Sequence, residues 1–301
     1  MNDVQGWINL YKPKNITSFQ ALKKIKKKFL IKKIGHAGTL DPLAEGILPI
    51  ALGKATKLIP FVGNNLKKYK FTVTWGTQTT TDDKDGEVIN ISKLIPNQNN
   101  IILNIKKFIG INKQVPPNFS AVKISGERAY KLSRKGKNFK INYKNVFVKD
   151  LKLLDHNYKS TKFEIICGKG FYIRSLARDL AKELGTYGHI SALERLKVGK
   201  FTKETSILLD DLLKIGQTLS EINCILPSIS MLDDILACEI EDLIDLKEIS
   251  KGKSIKIDEN KLVNFSSNLL DNKTIFLSNN GDIVSFGKLI GNLFKPNKVL
   301  I

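Results

Sequence analysis

In Gly35-His-Ala-Gly-Thr-Leu-Asp-Pro-Leu-Ala-Glu-Gly-Ile-Leu-Pro49, glycines and prolines surround a single aspartate. The Gly and Pro content of residues 35–42 reads as a loop. Asp41 followed by Pro42 admits two readings. One is a helix N-cap with proline at the first helical position. The other is a carboxylate nucleophile or base carried in a glycine-flanked loop. His36 stands alone in the same loop, and neither His156 nor His189 lies at ligand spacing from it, so no metal site is expected. The nearly apolar run Gly46–Gly53 follows. It is the longest in the chain, and it falls far short of the ~20 residues a membrane span needs.

Working outward, Gly6-Trp-Ile-Asn-Leu-Tyr11 reads as a strand closed by Lys12-Pro13. Thr17-Ser-Phe-Gln20 fits a capping box that opens a helix to about Phe29, with Leu22, Ile25 and Phe29 on one face and lysines on the other. Lys70–Trp75 alternates as a strand. Residues 79–86 form a polar turn, and the pattern is helical near Asn100–Phe108. Residues 114–140, rich in Pro, Gly and Lys, read as an exposed excursion. Lys162–Cys167 is a strand turned by Gly168–Gly170, and Ser175–Leu184 is a helix stopped by Gly185. Arg174, just before that helix start, is a candidate partner for a buried carboxylate or phosphate. Cys167, on an apolar strand, reads as a buried inert thiol. Strands and helices mix without regular alternation, so the class is α+β rather than a doubly wound sheet. Past about residue 235, short β-like runs (Lys253–Ile257, Thr274–Ser278, Ile283–Phe286) between Asn/Asp/Gly turns predict a small β domain. Gly252-Lys253-Ser254 is not a phosphate loop, because Lys247 stands where that motif needs its first glycine.

The 301 residues carry Lys+Arg 49 against Asp+Glu 29, a formal net charge of +20. With 42% hydrophobic residues the chain is globular, not mostly disordered. The positive excess suits a polyanionic partner, although a Lys-, Asn- and Ile-rich composition also follows from A/T-rich coding. Lys23, Lys24, Lys26, Lys27, Lys28, Lys32 and Lys33 crowd into one stretch. There are five arginines: Arg128, Arg134, Arg174, Arg178 and Arg195. In so lysine-biased a chain, an arginine marks a place where a planar, two-pronged donor is wanted. Three scattered cysteines and an N-terminus without a secretory pattern lead us to expect a reducing cytoplasm.

Taken together, several segments resemble the TruB-type tRNA pseudouridine synthases. Residues 6–18 are similar to the Lys-Pro-x-Gly-x-Thr/Ser-Ser opening of the family, with Asn15 where glycine is usual. Gly35–Pro49 matches its most specific motif almost unbroken. Lys68-Tyr69 with Gly76 and Asp83–Gly86 looks like a second motif. Lys169-Gly-Phe-Tyr-Ile-Arg174 with Arg195-Leu196 looks like a third, and Gln114–Lys123 also matches. The resemblance covers roughly residues 5–205. Residues 287–291 and 294–301 resemble more loosely a PUA RNA-binding domain.

The resemblance implies a mixed, mainly antiparallel sheet with flanking helices over residues 1–235 and a PUA-like β domain over 236–301. It implies isomerisation of the uridine at position 55 in the T loop of transfer RNA, after the base is flipped out of its stack. It makes Asp41 the catalytic carboxylate. Tyr69 would stack on the target base, and Arg174 would pair with Asp41. His36 would fill the place the base leaves, and Tyr172 and Leu196 would line the pocket. No cofactor or metal is implied, and transfer RNA is the partner, through its T stem-loop. Two rivals are a non-catalytic RNA-binding or RNA-folding protein on the same scaffold and a relative working inside a guide-RNA particle. The intact Asp41, Tyr69 and Arg174, the 114–140 excursion and the compact chain favour a stand-alone enzyme. That enzyme would be a monomer with no obligatory protein partner, no guide RNA and no membrane association.

Overall fold

The computed structural model describes residues 4–62, 66–216, 224–232, 237–258, 262–263 and 274–300. In chain order the first part runs β1 (Gly6–Lys12), α1 (Ser18–Phe29), β2 (Ile34–His36), β3 (Glu45–Leu52) and β4 (Lys67–Trp75). A small hairpin, β5 (Thr77–Thr79) and β6 (Val88–Ile91), precedes α2 (Gln98–Ile105) and β7 (Gly110–Gln114). A second hairpin, β8 (Lys123–Ile124) and β9 (Glu127–Arg128), leads into α3 (Ala129–Arg134). Then follow β10 (Lys144–Asn157), β11 (Ser160–Cys167), α4 (Ile173–Glu183), β12 (Gly188–Val198), β13 (Phe201–Thr202), β14 (Ile207–Leu208) and α5 (Leu209–Lys214).

Among the described residues the main sheet has eleven strands, with β14-β1-β3-β12-β4-β11-β10-β7 as its spine. Only β1 with β14 and β3 with β12 pair in parallel; the other pairs are antiparallel. This is the α+β class and the mainly antiparallel sheet that the sequence implied. On β4 the alternation places Tyr69, Phe71, Val73 and Trp75 inward, where they meet Phe163 and Ile165 of β11 and Leu176 and Leu180 of α4 in one core. Each such buried side chain contributes about 1.5–3 kcal/mol. Tyr69 lies near the start of β4, so the apolar core ends where the site begins.

Helix α1 starts as its capping box requires. Thr17 Oγ1 accepts from Gln20 N, and Thr17 N donates to Gln20 Oε1 at 2.7 Å. Ala21, Leu22, Ile25 and Phe29 face the core, and the lysines face outward. Asn15 has φ +64°, a left-handed conformation that glycine adopts freely and Asn tolerates. That accounts physically for asparagine where the resembled motif has glycine.

The remaining elements are β15 (Ile225–Leu226), β16 (Ala237–Glu239), α6 (Leu243–Ser250), β17 (Ile255–Lys256), β18 (Leu262–Val263), β19 (Thr274–Asn279), β20 (Asp282–Ile290) and β21 (Leu293–Val299). Strands β16–β21 form a separate six-stranded sheet with its own core around Ile249, Ile275, Leu277, Leu289 and Phe294. Helix α6 was not foreseen in a segment expected to hold only strands and turns; Asp242 caps it by accepting from Ile244 N at 2.7 Å. The two sheets also share a core. Trp7, Ala51 and Leu58 pack with Phe276, Ile283 and Leu300, and the Phe61 ring meets Phe276 and Phe286 edge-on at 5.1 and 4.8 Å. The expected boundary at 235/236 lies outside the described residues. No helix among them is long and apolar enough to cross a membrane.

Candidate active site

Asp41 sits between β2 and β3 in a loop held from three sides. Ser18 Oγ donates to Leu40 O at 3.0 Å and accepts from Leu40 N at 2.9 Å. Asn15 N donates to Pro42 O at 2.8 Å. Arg195, only 1% exposed, donates from Nη2 to Gly38 O at 2.9 Å and from Nε to Ile47 O at 2.6 Å. No helix follows Pro42. The chain makes one turn, Ala44 N to Asp41 O, and enters β3, so the N-cap reading of Asp41 does not hold. His36 is not in the loop itself but ends the short strand β2, paired with Ile50.

Arg174 was expected just before a helix. Helix α4 instead begins at Ile173, so Arg174 lies in its first turn. Its guanidinium is 5% exposed and makes three separate bonds: Nε to Asp41 Oδ2 at 2.9 Å, Nη1 to Thr81 O at 2.9 Å and Nη2 to Phe119 O at 3.0 Å. The expected two-pronged grip is therefore not formed. The fork is divided between one carboxylate oxygen and two backbone carbonyls. Asp41 keeps about a third of its side chain exposed, and no described residue bonds its Oδ1.

The polar turn 79–86 supplies two buried acids. Asp83 Oδ1 accepts from Thr81 Oγ1 at 2.6 Å and from Asp85 N at 3.1 Å, while Oδ2 lies 3.7 Å from Arg174 Nε. Asp82, at φ +59°, pairs through Oδ2 with Arg178 Nη1 at 3.0 Å. Burial pushes both carboxyls up, and the facing arginines pull them back. The 114–140 segment is not uniformly exposed as expected. Gln114, Pro116, Pro117 and Ser120 are buried. Gln114 clasps Tyr172 through Nε2 to Tyr172 O (3.1 Å) and Tyr172 N to Oε1 (2.9 Å). Arg178 Nη2 and Ser175 Oγ both donate to Val115 O. Exposure is concentrated in the later hairpin, α3 and residues 135–140.

Around the carboxylate stand the other expected residues. Tyr69 pairs in register with Arg195 across β4 and β12. Burial pushes its phenol up, partly opposed by Arg195, so it is protonated at neutral pH. Tyr172 is also pushed up by burial, and the Asp41 charge acts on both phenols. Burial first, then the Arg195 charge, lowers His36, leaving a neutral imidazole with a buried Nδ1 that has no hydrogen-bond partner. Leu196 occupies a β-bulge between Arg195 and Lys197, where the extra residue re-aims its side chain. Asp41, Arg174, Tyr69 and Tyr172 thus converge, whereas His36 and Leu196 flank them through Arg195.

Several contributors were not singled out from sequence for this site: Asp82, Asp83, Gln114, Arg178 and Lys12. Arg178 and Arg195 carried the one available signal, arginine in a lysine-rich chain. Lys12 is fully buried, and its ammonium donates to Pro13 O and Ile16 O at 2.8 Å. Burial lowers it to about 8, against the pull of Asp41. Cys167 is buried with its thiol pushed up to about 12, an inert group as expected. No cluster of three His, Cys, Asp or Glu suited to a metal occurs among the described residues.

Known proteins share this arrangement of sequence. The model of the TruB family pseudouridylate synthase N-terminal domain matches residues 26–173, and that of the tRNA pseudouridylate synthase B C-terminal domain matches residues 174–247. The tRNA pseudouridine synthase B of Ehrlichia ruminantium (strain Gardel) is 40% identical over 296 residues, 98% of each chain. That of Wolbachia pipientis subsp. Culex pipiens (strain wPip) is 50% identical over 224 residues, 74% of this chain and 64% of that protein. A solved H/ACA RNP bound to a substrate RNA containing 2′-deoxyuridine includes a chain of the same fold. It is 22% identical, with a TM-score of 0.74 over 98% of this chain and 85% of that one. With family models covering most of its length and a relative matched almost end to end, the chain belongs to the TruB family of tRNA pseudouridylate synthases, which are isomerases.

Proposed function

We propose that the protein converts the uridine at position 55 in the T loop of transfer RNA to pseudouridine, acting alone on the T stem-loop. The observation that carries this reading is the Asp41 carboxylate. One of its oxygens is held by a buried arginine, no described residue bonds the other, and its charge acts on two protonated phenols. The reaction exchanges the C1′–N1 bond for a C1′–C5 bond. N1 gains a proton and C5 loses one, so atoms balance with nothing added and no cofactor is called for. The target base leaves its stack to reach the pocket.

In this reading Asp41 acts at the glycosidic bond, and Arg174 keeps it aimed. Tyr69 stacks on the base, His36 fills the vacated place in the RNA, and Tyr172 and Leu196 line the pocket. Residues 1–235 form the catalytic unit and 236–301 a PUA-like RNA-binding unit of a cytoplasmic monomer. The test is a bare T-stem-loop transcript with purified protein and neither guide RNA nor protein partners. Pseudouridine at the expected position supports the reading. Binding without conversion would make the protein an RNA-binding scaffold, and conversion only with added partners would place it in a guided particle.

A further inference from the structure

Helix α4 carries a second arginine one turn after the first, so Arg174 and Arg178 share a face. Their forks repeat one pattern. Arg174 donates from Nη1 to Thr81 O and from Nη2 to Phe119 O, at 2.9 and 3.0 Å. Arg178 donates from Nη1 to Asp82 Oδ2 and from Nη2 to Val115 O, at 3.0 and 2.8 Å. Each guanidinium thus bridges the same two segments, the acidic turn and the stretch running from Val115 to Phe119. They differ at Nε. Arg174 Nε meets Asp41, whereas Arg178 Nε donates to Asp179 Oδ1 of its own helix at 2.9 Å. The turn is one that has to be held. Asp82 is buried at φ +59°, a conformation uncommon outside glycine and stable only where the surroundings impose it. Strand β12 holds its main chain, with Ile190 N donating to Asp82 O at 3.1 Å. Arg178 holds its carboxylate. Thr81, whose carbonyl Arg174 uses, is the residue just before.

We propose that Arg178 is a positioning residue: by fixing the turn at Asp82 and the segment at Val115, it sets where the Thr81 and Phe119 carbonyls stand, and so the direction in which Arg174 presents Nε to Asp41. Arg178 acts on the carboxylate only through Arg174. A lysine there meets Asp82 or Val115 O but cannot span both, which accounts for arginine at this place in a chain of lysines. The proposal rests on the reaction proposed above and adds a residue to it.

The experiment compares Arg178→Gln and Arg178→Lys, each alone and combined with Arg174→Lys, against wild type and Arg174→Lys on the T-stem-loop transcript. It records the single-turnover rate constant at saturating RNA and the affinity for the RNA. Every rate is taken well below the lowest thermal midpoint, so that unfolding does not enter. Arg178→Gln should slow the turnover by roughly tenfold, part of the hundredfold that a misplacement of about 1 Å can cost. Arg178→Lys should fall between it and wild type. RNA affinity should stay within about twofold, as for a group felt in the transition state alone. In the Arg174→Lys background the same substitutions should slow the rate by less than about twofold, because the guanidinium they guide is already gone. If the glutamine variant is too unstable to assay, the lysine variant carries the same comparison. A wild-type rate for the Arg178 variants would leave Arg178 a structural clamp and overturn the proposal. An equal slowing in both Arg174 backgrounds would overturn it too, as would weaker RNA binding with an unchanged saturated rate, the mark of a phosphate contact. Wild-type protein inert on the stem-loop would instead bring down the reaction reading, and the proposal with it.

Discussion

Arg174 holds Asp41 through one nitrogen, Nε to Oδ2 at 2.9 Å, while its two terminal nitrogens bind the carbonyls of Thr81 and Phe119. The guanidinium thus ties the Asp41 loop, the acidic turn and the 114–120 segment to the first turn of α4. Direction, more than charge, is what it supplies to Asp41.

Arg174→Lys keeps the charge but cannot reach three diverging acceptors from one nitrogen. At least one carbonyl is left without its donor, at about 1–3 kcal/mol of stability. The carboxylate also becomes less well aimed, and a misplacement of about 1 Å can cost on the order of a hundredfold in rate. We expect single-turnover rates to fall strongly while affinity for the stem-loop changes little. Arg174→Met should be slower still. A wild-type rate for Arg174→Lys would reduce Arg174 to a structural residue.

Gly46 lies at φ +111°, packed against the main chain of Arg195. A methyl group there meets backbone atoms that cannot yield, and the conformation is itself unfavourable for a side chain. Gly46→Ala should therefore displace β12 from β3 and disturb the Arg195 clamp on the Asp41 loop. We expect a clear drop in thermal midpoint with a larger drop in activity. An unaffected midpoint would show that this parallel pairing is not needed.

Lys12 gives a pH dependence of stability with a definite sign. Folded, it releases its proton near pH 8; unfolded, it keeps it to about 10.5. Between these values the unfolded chain binds more protons, so stability rises with pH, and the cost of burying the ammonium is complete below pH 8. Cys167 acts oppositely above pH 9, because its thiol is raised from 9.0 to about 12 in the fold. Denaturant unfolding at pH 7.5 and pH 9 should show a smaller rise for Lys12→Met than for wild type. Equal rises would remove Lys12 as the source.

Five exposed lysines on α1 (Lys23, Lys24, Lys26, Lys27 and Lys28) project away from the core. If they meet phosphates, affinity for the stem-loop should fall linearly on a log–log plot against salt, by about 0.7–0.9 per contact. Replacing Lys23 and Lys27 with glutamine should lower that slope by roughly one to two. An unchanged slope would place the phosphates elsewhere.

Local patterns told most about local elements. The Thr17–Gln20 box, the alternation of β4 and the stripe of α4 were legible because their periods are set by neighbouring residues. Arg174 was legible as a partner for a carboxylate, but the division of its fork was not. The Thr81 and Phe119 carbonyls lie 93 and 55 residues away in sequence, and backbone acceptors carry no residue-type signal. The same holds for Asp82 and Asp83, whose turn looks like any solvated polar turn until α4 covers it. Helix α6 was missed because its cap, Asp242, stands in a stretch crowded with acids, where one more aspartate is not distinctive. The C-terminal sheet was legible as strands, whereas its shared core with Trp7 and Phe61 depends on packing across the whole chain.

The central claim is that the Asp41 carboxylate performs chemistry at the glycosidic bond. Asp41→Asn preserves shape and leaves an oxygen facing Arg174, but removes the charge. The direct measurement is pseudouridine formed in a single turnover on the bare T-stem-loop, with RNA affinity determined on the same preparation. We expect turnover to be abolished and affinity to remain within about threefold of wild type, since binding draws chiefly on phosphate contacts. An Asp41→Asn protein that still forms pseudouridine near the wild-type rate would contradict the account.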